Sequence, residues 1–392
     1  MPPRDRITQF HDEMTAWRHD FHAHPEIGYE EHRTSEIVAT KLAEWGIEVH
    51  RGLGGTGVVG VLRGTKGAGH GNRAIGLRAD MDALPMDEAN TFAHRSTIPG
   101  RMHACGHDGH TSMLLGAAKY LAATRNFSGT VHFVFQPAEE GLAGAKAMLN
   151  DGLFEKFPCD AIYGIHNSPN VPLGKVRAVT GTALAAIDYF TVTLRGKSTH
   201  GATPQNGIDT VSIAAQVISI INAIPSRHVD ALDSAIISIG MIHGGTSNIV
   251  IPETVEIRGS VRTLKPHVRD LVEELFHRGV THCAAAHGGT AEIVYNRAYP
   301  PTINTAAETE RAAIAAGAII GDANVIRGGQ PILAGEDFAF YLERTPGAFL
   351  LFGQGEGDRF AVTPHNSFYE FNDNLLPIGA SFFAQMVEQE LG

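Results

Sequence analysis

Cysteine and histidine crowd into one short run, Met102-His103-Ala104-Cys105-Gly106-His107-Asp108-Gly109-His110. Cys105 and His107 flank a glycine, so a tight bend there could turn a thiolate and an imidazole toward one ion, a mixture suited to a borderline-soft divalent metal. The spacing matches none of the closed structural-zinc patterns. With 21 histidines in the chain some neighbours are accidental, and a buried cysteine beside surface histidines is the plain alternative.

A second pair, Glu139-Glu140, follows Gln136-Pro137 at the end of an apolar run. Paired glutamates commonly solvate the start of a helix, where the dipole favours them. Held this close they repel, and a nearby cation keeps both ionised. One carboxylate could then coordinate a metal while its neighbour accepts a proton from an activated water, the division of labour of metal-assisted hydrolysis. His166 and His365 are by type ordinary satisfied histidines. His200, in Gly196-Lys197-Ser198-Thr199-His200-Gly201, and Asn248, in Gly244-Gly245-Thr246-Ser247-Asn248, are by type loop and turn residues. Their interest lies in position.

The elements that must position them follow from periodicity. Helical spacing from Ile7 to about Trp45 is interrupted at His24-Pro25. Strands are expected at 58–62 and 74–77, separated by a glycine-rich turn at 64–71. A helix at 111–123, a strand at 130–135, a helix at 143–151, a strand at 161–165 and a distant strand at 348–353 follow. Strand and helix alternate, which predicts an α/β domain with a mostly parallel sheet covered on both faces. Arg78, Asp80 and Asp82 then follow one strand, Glu139 and Glu140 the next, His166 ends a third, and His365 lies beyond a fourth. Ligands gather outside the carboxyl ends of such strands, so separate segments deliver carboxylates and imidazoles to one edge, beside the Cys105–His107 bend. Gly52-Leu53-Gly54-Gly55-Thr56-Gly57 is not read as a phosphate loop, because a β-branched strand rather than a helix follows it.

From about 182 to 294 the order becomes strand (188–194), helix (210–223), strand (234–242), strand (254–263), helix (266–286), strand (290–295). That is the split βαβ, ferredoxin-like pattern. The expected organisation is a catalytic domain in two parts, 1–181 and 297–392, with an insert at 182–296 joined through short hinges near Thr180 and Arg297.

Composition bounds the function. The 392 residues are enough for two or three domains, and 43% hydrophobic with 19% charged residues is ordinary for a globular protein. A net charge of -11 excludes a general nucleic-acid or anionic-membrane binder, since both need a basic face. Three scattered cysteines, no apolar signal core at the start and no uninterrupted membrane-length apolar stretch lead us to expect a cytoplasmic protein with free thiols.

Taken in order, Arg18-His19-Asp20-Phe21-His22-Ala23-His24-Pro25-Glu26, Arg78-Ala79-Asp80-Met81-Asp82-Ala83-Leu84-Pro85, the run from Met102 to His110, Gln136-Pro137-Ala138-Glu139-Glu140, Gly164-Ile165-His166, Ser198-Thr199-His200, Gly335-Glu336-Asp337-Phe338 and Pro364-His365 extend over almost the whole chain. They resemble the two-metal aminoacylase and carboxypeptidase superfamily, specifically the amidohydrolase branch that holds hippurate hydrolase and the plant indole-acetyl-amino-acid hydrolases. The resemblance implies a zinc-exopeptidase-like catalytic domain with an inserted ferredoxin-like lid and dimerisation domain. It implies two divalent ions, zinc or manganese with nickel or cobalt also tolerated, ligated by Cys105, His107, Glu140, His166 and His365. Glu139 is then the general base and acid. Cys105 stands where relatives usually place a bridging carboxylate, which implies a bridging thiolate. Arg78 stands where the wider superfamily has a histidine ligand, leaving Asp80 behind the ligands. His200 and Asn248 match residues that reach the substrate, one or both across a homodimer, with His200 at the oxyanion.

The implied reaction is hydrolysis of an N-acyl amino acid, hippurate-like or N-acetyl, to a carboxylic acid and a free amino acid by a metal-activated water. The implied partners are that small molecule and a second copy of the chain, with no nucleic acid and no membrane. Three alternatives stay open on the sequence: a cysteine hydrolase with Cys105 as nucleophile, a non-catalytic metal-dependent binding protein on the same fold, and a dipeptidase that recognises a free amino group. No motif reports which acyl group or amino acid is taken.

Overall fold

The computed structural model describes residues 3–67 and 73–392, so positions 68–71 of the expected glycine-rich turn lie outside the described residues. The principal strands, in chain order, are β1 (Glu48–Leu53), β2 (Gly57–Arg63), β3 (Ala74–Asp80), β4 (Thr130–Gln136), β5 (Ala161–Pro172), β6 (Val176–Ala178), β7 (Ala186–Arg195), β8 (Ala235–Gly244), β9 (Thr254–Thr263), β10 (Thr290–Tyr299), β11 (Val325–Arg327) and β12 (Gly347–Gly355). The helices that matter below are α1 (His11–Ala23), α2 (His32–Glu44), α3 (His107–Thr124), α4 (Thr210–Arg227), α5 (Pro266–Ala286) and α6 (Leu376–Glu390). Two compact units result, one made of Met1–Ala183, Ile303–Gln330 and Asp337–Gly392, the other of Leu184–Thr302 and Pro331–Glu336.

In the first unit, eight strands among the described residues form one sheet in the order β1-β2-β4-β3-β5-β12-β6-β11. β3 runs parallel to β4 and β5, β12 parallel to β5, and β11 parallel to β6. β1–β2, β2–β4 and β12–β6 are antiparallel, so the sheet is mixed with a parallel centre. Val58, Val59, Val61 and Leu62 of β2 and Ile75 and Leu77 of β3 are all buried, as expected of strands covered on both faces. α3 is buried nearly all round; its Met113, Leu114, Leu115 and Leu121 share a core with Phe382, Phe383 and Met386 of α6. Each such side chain contributes about 1.5–3 kcal/mol by leaving water, which fixes the helix that begins at His107.

Several boundaries differ from those expected, each for a physical reason. β1 was not anticipated: Glu48-Val49-His50-Arg51 has little apolar content, and it pairs as the antiparallel edge strand with most residues exposed or half-buried. The Gly52–Gly57 stretch is the turn of that hairpin. β3 continues past Leu77 to Asp80, because Arg78, Ala79 and Asp80 keep their ladder partners on β4. Arg78 and Asp80 therefore lie inside the strand. β5 likewise continues to Pro172, with Asn167 and Ser168 opposite Phe352 and Gly353, so His166 sits within a strand rather than at its end. Within them Arg78, Asp80, Asn167 and Ser168 are polar yet buried, which apolar periodicity does not reveal.

The second unit is a four-stranded antiparallel sheet in the order β8-β9-β7-β10. Its chain order, strand, helix, strand, strand, helix, strand, is the ferredoxin-like pattern. Phe190, Val192 and Leu194 of β7 pack with Ile213, Val217 and Ile221 of α4 and with Val272, Phe276 and Val280 of α5. Asp209 caps α4, its carboxylate accepting from the backbone N–H groups of Val211 and Ser212 at 3.0 and 3.1 Å.

Candidate metal centre

The bend between Cys105 and His107 is real, and glycine is required in it. Gly106 has φ 101°, and a Cβ there would lie 2.3 Å from Asn167 Oδ1 and 2.7 Å from the Tyr369 hydroxyl. His107 is the first residue of α3. Its Nδ1 donates to the Asp82 carbonyl at 2.9 Å, with Asp82 Oδ1 at 3.2 Å. A carbonyl can only accept, so Nδ1 carries a proton and Nε2 is the nitrogen left to face a cation, which would take the place of a second proton. His166 is arranged the same way: Nδ1 donates to the Asn167 carbonyl at 2.7 Å, and Nε2 stands 3.3 Å from Cys105 Sγ.

The glutamate pair enters from the loop after β4. Ala138 takes a left-handed conformation, φ 56°, immediately before Glu139. The Glu140 backbone N–H donates to Asp82 Oδ2 at 2.9 Å, so Asp82 holds two segments at once. Glu140 Oε2 lies 3.2 Å from His365 Nε2, and Oε1 lies 3.9 Å from His107 Nε2. His365, itself at φ 63°, is anchored by its backbone N–H to the Ala104 carbonyl at 2.8 Å. Three trios made only of the expected ligands and base have ligand atoms mutually within 4.8 Å: Cys105, His107 and His166; Cys105, Glu140 and His365; His107, Glu139 and Glu140. Cys105 belongs to two of them, the placement a bridging ligand requires. Glu139 is buried, with Oε1 3.4 Å from the Asp337 backbone N–H, which donates to it.

Electrostatics asks for positive charge at this point. Burial opposes protonation of His107, yet Asp80, Asp82 and Cys105 outweigh it and hold its pKa well above the usual imidazole range. Hydrogen bonds to Cys105 and Glu140 push His365 up to about 10. Burial would raise Glu140, but His365 and His107 bring it below its ordinary value. His166, half-buried, is pushed down to about 3 by desolvation and by its neighbour His110, so it is neutral and able to donate a lone pair. Burial, then Glu140, pushes the Cys105 thiol up. His107 Nε2 and Glu140 Oε1 are buried with no hydrogen-bond partner among the described residues. Orphaned ligand atoms, neutral imidazole and excess anionic charge together fit divalent cations.

A polar scaffold supports the ligands. Arg78, fully buried, donates to Asp80 at 2.8 Å, to Gln136 Oε1 at 2.7 Å and to Asp337 at 3.0 Å. His110 reaches Asp80 at 2.6 Å and Asn167 Oδ1 at 2.7 Å. Asp80, His107 and His110 form a further potential ligand trio. His110 stood in the sequence only as the last residue of the Met102–His110 run and was given no role there; in the structure it lies three residues after His107, one turn along the same helix. Asp82 was visible only as one more strand-end carboxylate, Gln136 only as the first residue of the motif that holds Glu139 and Glu140, and Asn167 and Tyr369 carried no signal at all, being an ordinary amide and a phenol.

His200 and Asn248 belong to the second unit. Thr199–His200 pairs with Val250–Ile251, so His200 and the exposed turn carrying Asn248 are neighbours there. His200 is exposed, and its Nδ1 accepts from the Ala202 backbone N–H at 3.0 Å.

Residues 76–389 match the family described as peptidase family M20/M25/M40. The chain is 40% identical over 380 residues to the hippurate hydrolase of Campylobacter jejuni, covering 97% of each. It is 34% identical over 379 residues to the N-acetylcysteine deacetylase of Bacillus subtilis, covering 96% of each. Among solved structures it superposes with TM-score 0.83 and 32% identity on the Bacillus subtilis YXEP protein, described as a dinuclear metal-binding peptidase of family M20, covering 97% of this chain and 98% of that one.

Proposed function

The chain belongs to peptidase family M20/M25/M40, and from that membership we propose that it hydrolyses N-acyl amino acids, hippurate-like or N-acetyl, to a carboxylic acid and a free amino acid. Cys105, His107, Glu140, His166 and His365 would hold two divalent ions, zinc or manganese, and the Cys105 thiolate belongs to two of the candidate ligand groups. When bound, the ions supply Lewis acidity that acidifies water and polarises the acyl carbonyl. Glu139 takes the proton from the attacking water and returns it to the leaving nitrogen, and no covalent intermediate is needed. Asp82 fixes the tautomer of His107 and the backbone of Glu140 at once, keeping both ligands in place. The observation that carries the reading is a buried glutamate, Glu139, within 4.8 Å of two candidate ligands.

The second unit is the lid and dimerisation domain of this reading. Its edge strand β8 exposes Ile236, Met241 and Ile242, which supports pairing with a second copy. His200 donates to the oxyanion and Asn248 contacts the substrate. The cytoplasm is the expected compartment, supported by free thiols at all three cysteines; no described helix is long and apolar enough to cross a membrane.

The test is a panel of N-acetyl, N-benzoyl and larger N-acyl amino acids, assayed after chelation and after adding back manganese or zinc. Activity should vanish with the chelator and return with one metal. Hydrolysis of no member sinks the proposal, and activity that survives chelation assigns the chemistry to the Cys105 thiol instead.

A further inference from the structure

Glu31 is completely buried, yet none of the chemistry above uses it. It stands at the N-terminal boundary of α2, where a carboxylate would ordinarily cap the helix, but its side chain makes no capping hydrogen bond. Glu26 does that work instead, accepting from the backbone N–H groups of Arg33 and Thr34 at 2.9 and 2.8 Å. The Glu31 side chain points elsewhere: Oε1 accepts from the Ala138 backbone N–H at 2.8 Å, and Oε2 accepts from the Thr56 hydroxyl at 2.5 Å.

Ala138 is the left-handed residue directly before Glu139 and Glu140. A residue with a Cβ keeps such a conformation only where its surroundings over-determine it. The surroundings here are the segment 26–31. The Tyr29 hydroxyl donates to the Leu142 carbonyl at 2.9 Å, and Gly28 packs so closely that a Cβ on it would lie 3.0 Å from Ala138 Cα and 2.7 Å from Leu142 Cδ1. The Glu26 carbonyl accepts from Ala83 N–H at 2.8 Å, tying the same segment to the loop that carries Asp82. One strap thus touches the loop that carries the glutamate pair and the loop that carries Asp82, which holds His107 and Glu140.

We propose that Glu31 is a positioning residue of the metal centre: by accepting the Ala138 N–H it holds the left-handed turn that presents Glu139 and Glu140. The inference rests on the reading of those two glutamates as base and ligand. Burial pushes the Glu31 carboxyl up to about 7 against its hydrogen bond to Thr56, so the fold holds this acid in a place that disfavours its charge. The bonds to Ala138 and Thr56 offset that cost.

The test is calorimetric titration of manganese(II) into metal-stripped wild type, Glu31→Ala, Glu31→Gln and Thr56→Val, with circular dichroism on each. Glu31→Ala should bind manganese about tenfold more weakly, the scale of outer-shell losses at metal sites. Glu31→Gln keeps an acceptor oxygen for Ala138 and should return to within about threefold of wild type. On an N-acyl amino acid, Glu31→Ala should lower kcat while KM stays within about twofold, the pattern of a misplaced base. Wild-type affinity and kcat in Glu31→Ala overturn the inference, as does a Glu31→Gln protein as weak as Glu31→Ala. If Glu31→Ala does not fold, Thr56→Val frees one carboxylate oxygen and should weaken manganese by about threefold; no change there overturns it. Titration needs no substrate, so a wild type that hydrolyses nothing refutes the proposed activity without touching this result.

Discussion

Gly106→Ala tests the geometry of the centre most directly. A residue with a Cβ pays roughly 1–2 kcal/mol to adopt the left-handed conformation found at position 106. Its Cβ would also sit 2.3 Å from Asn167 Oδ1 and 2.7 Å from the Tyr369 hydroxyl. Neither neighbour is a loose end. The Asn167 amide donates to Gln354 Oε1 at 3.0 Å and to the Tyr369 hydroxyl at 2.7 Å, and its Oδ1 lies 2.7 Å from His110 Nε2. Moving it aside forfeits about two hydrogen bonds, at ~1 kcal/mol each, and overpacking adds about 1–3 kcal/mol. The expected loss is therefore about 4 kcal/mol or more, at the severe end for a point substitution. Urea denaturation followed by tryptophan fluorescence reads it, because Trp17 and Trp45 both lie in the unit that carries the centre, with ring centroids 5.8 Å apart. Metal-stripped protein should be used, so that ligand linkage does not mask the change. A variant within about 1 kcal/mol of wild type would refute the reasoning, since it would mean that the bend tolerates a side chain.

Glu139→Gln removes the proton acceptor but not the ligand beside it, so kcat should fall by about 10²–10⁴ with two manganese ions still bound by calorimetry; a loss below tenfold would remove Glu139 from the reaction. His132 on β4 is buried, and burial pushes its pKa down to about 4. The folded state keeps it neutral while the unfolded chain takes up a proton below ~6.5, so its stabilising effect is complete above that pH and is lost as pH falls toward 4. Wild type should lose roughly 2 kcal/mol more than His132→Gln between pH 7 and 5, read from urea midpoints, and equal losses would contradict the assignment.

The sequence by itself pointed to the class of chemistry and to most of the elements. Cys105-Gly106-His107 announced a bend because glycine readily turns two neighbouring side chains toward one point, and Glu139-Glu140 stood out as like charges directly after a buried strand. The alternation of strand and helix was legible because apolar periodicity is local. The tertiary structure alone decided how far β3 and β5 extend, since Arg78, Asp80, His166 and Asn167 are polar residues whose burial depends on partners far along the chain. It alone showed Asp82 holding His107 and Glu140 together, and Glu31 reaching Ala138 across 107 residues. A buried polar group is stabilised by whichever distant donor or acceptor meets it, and sequence spacing carries no record of that meeting.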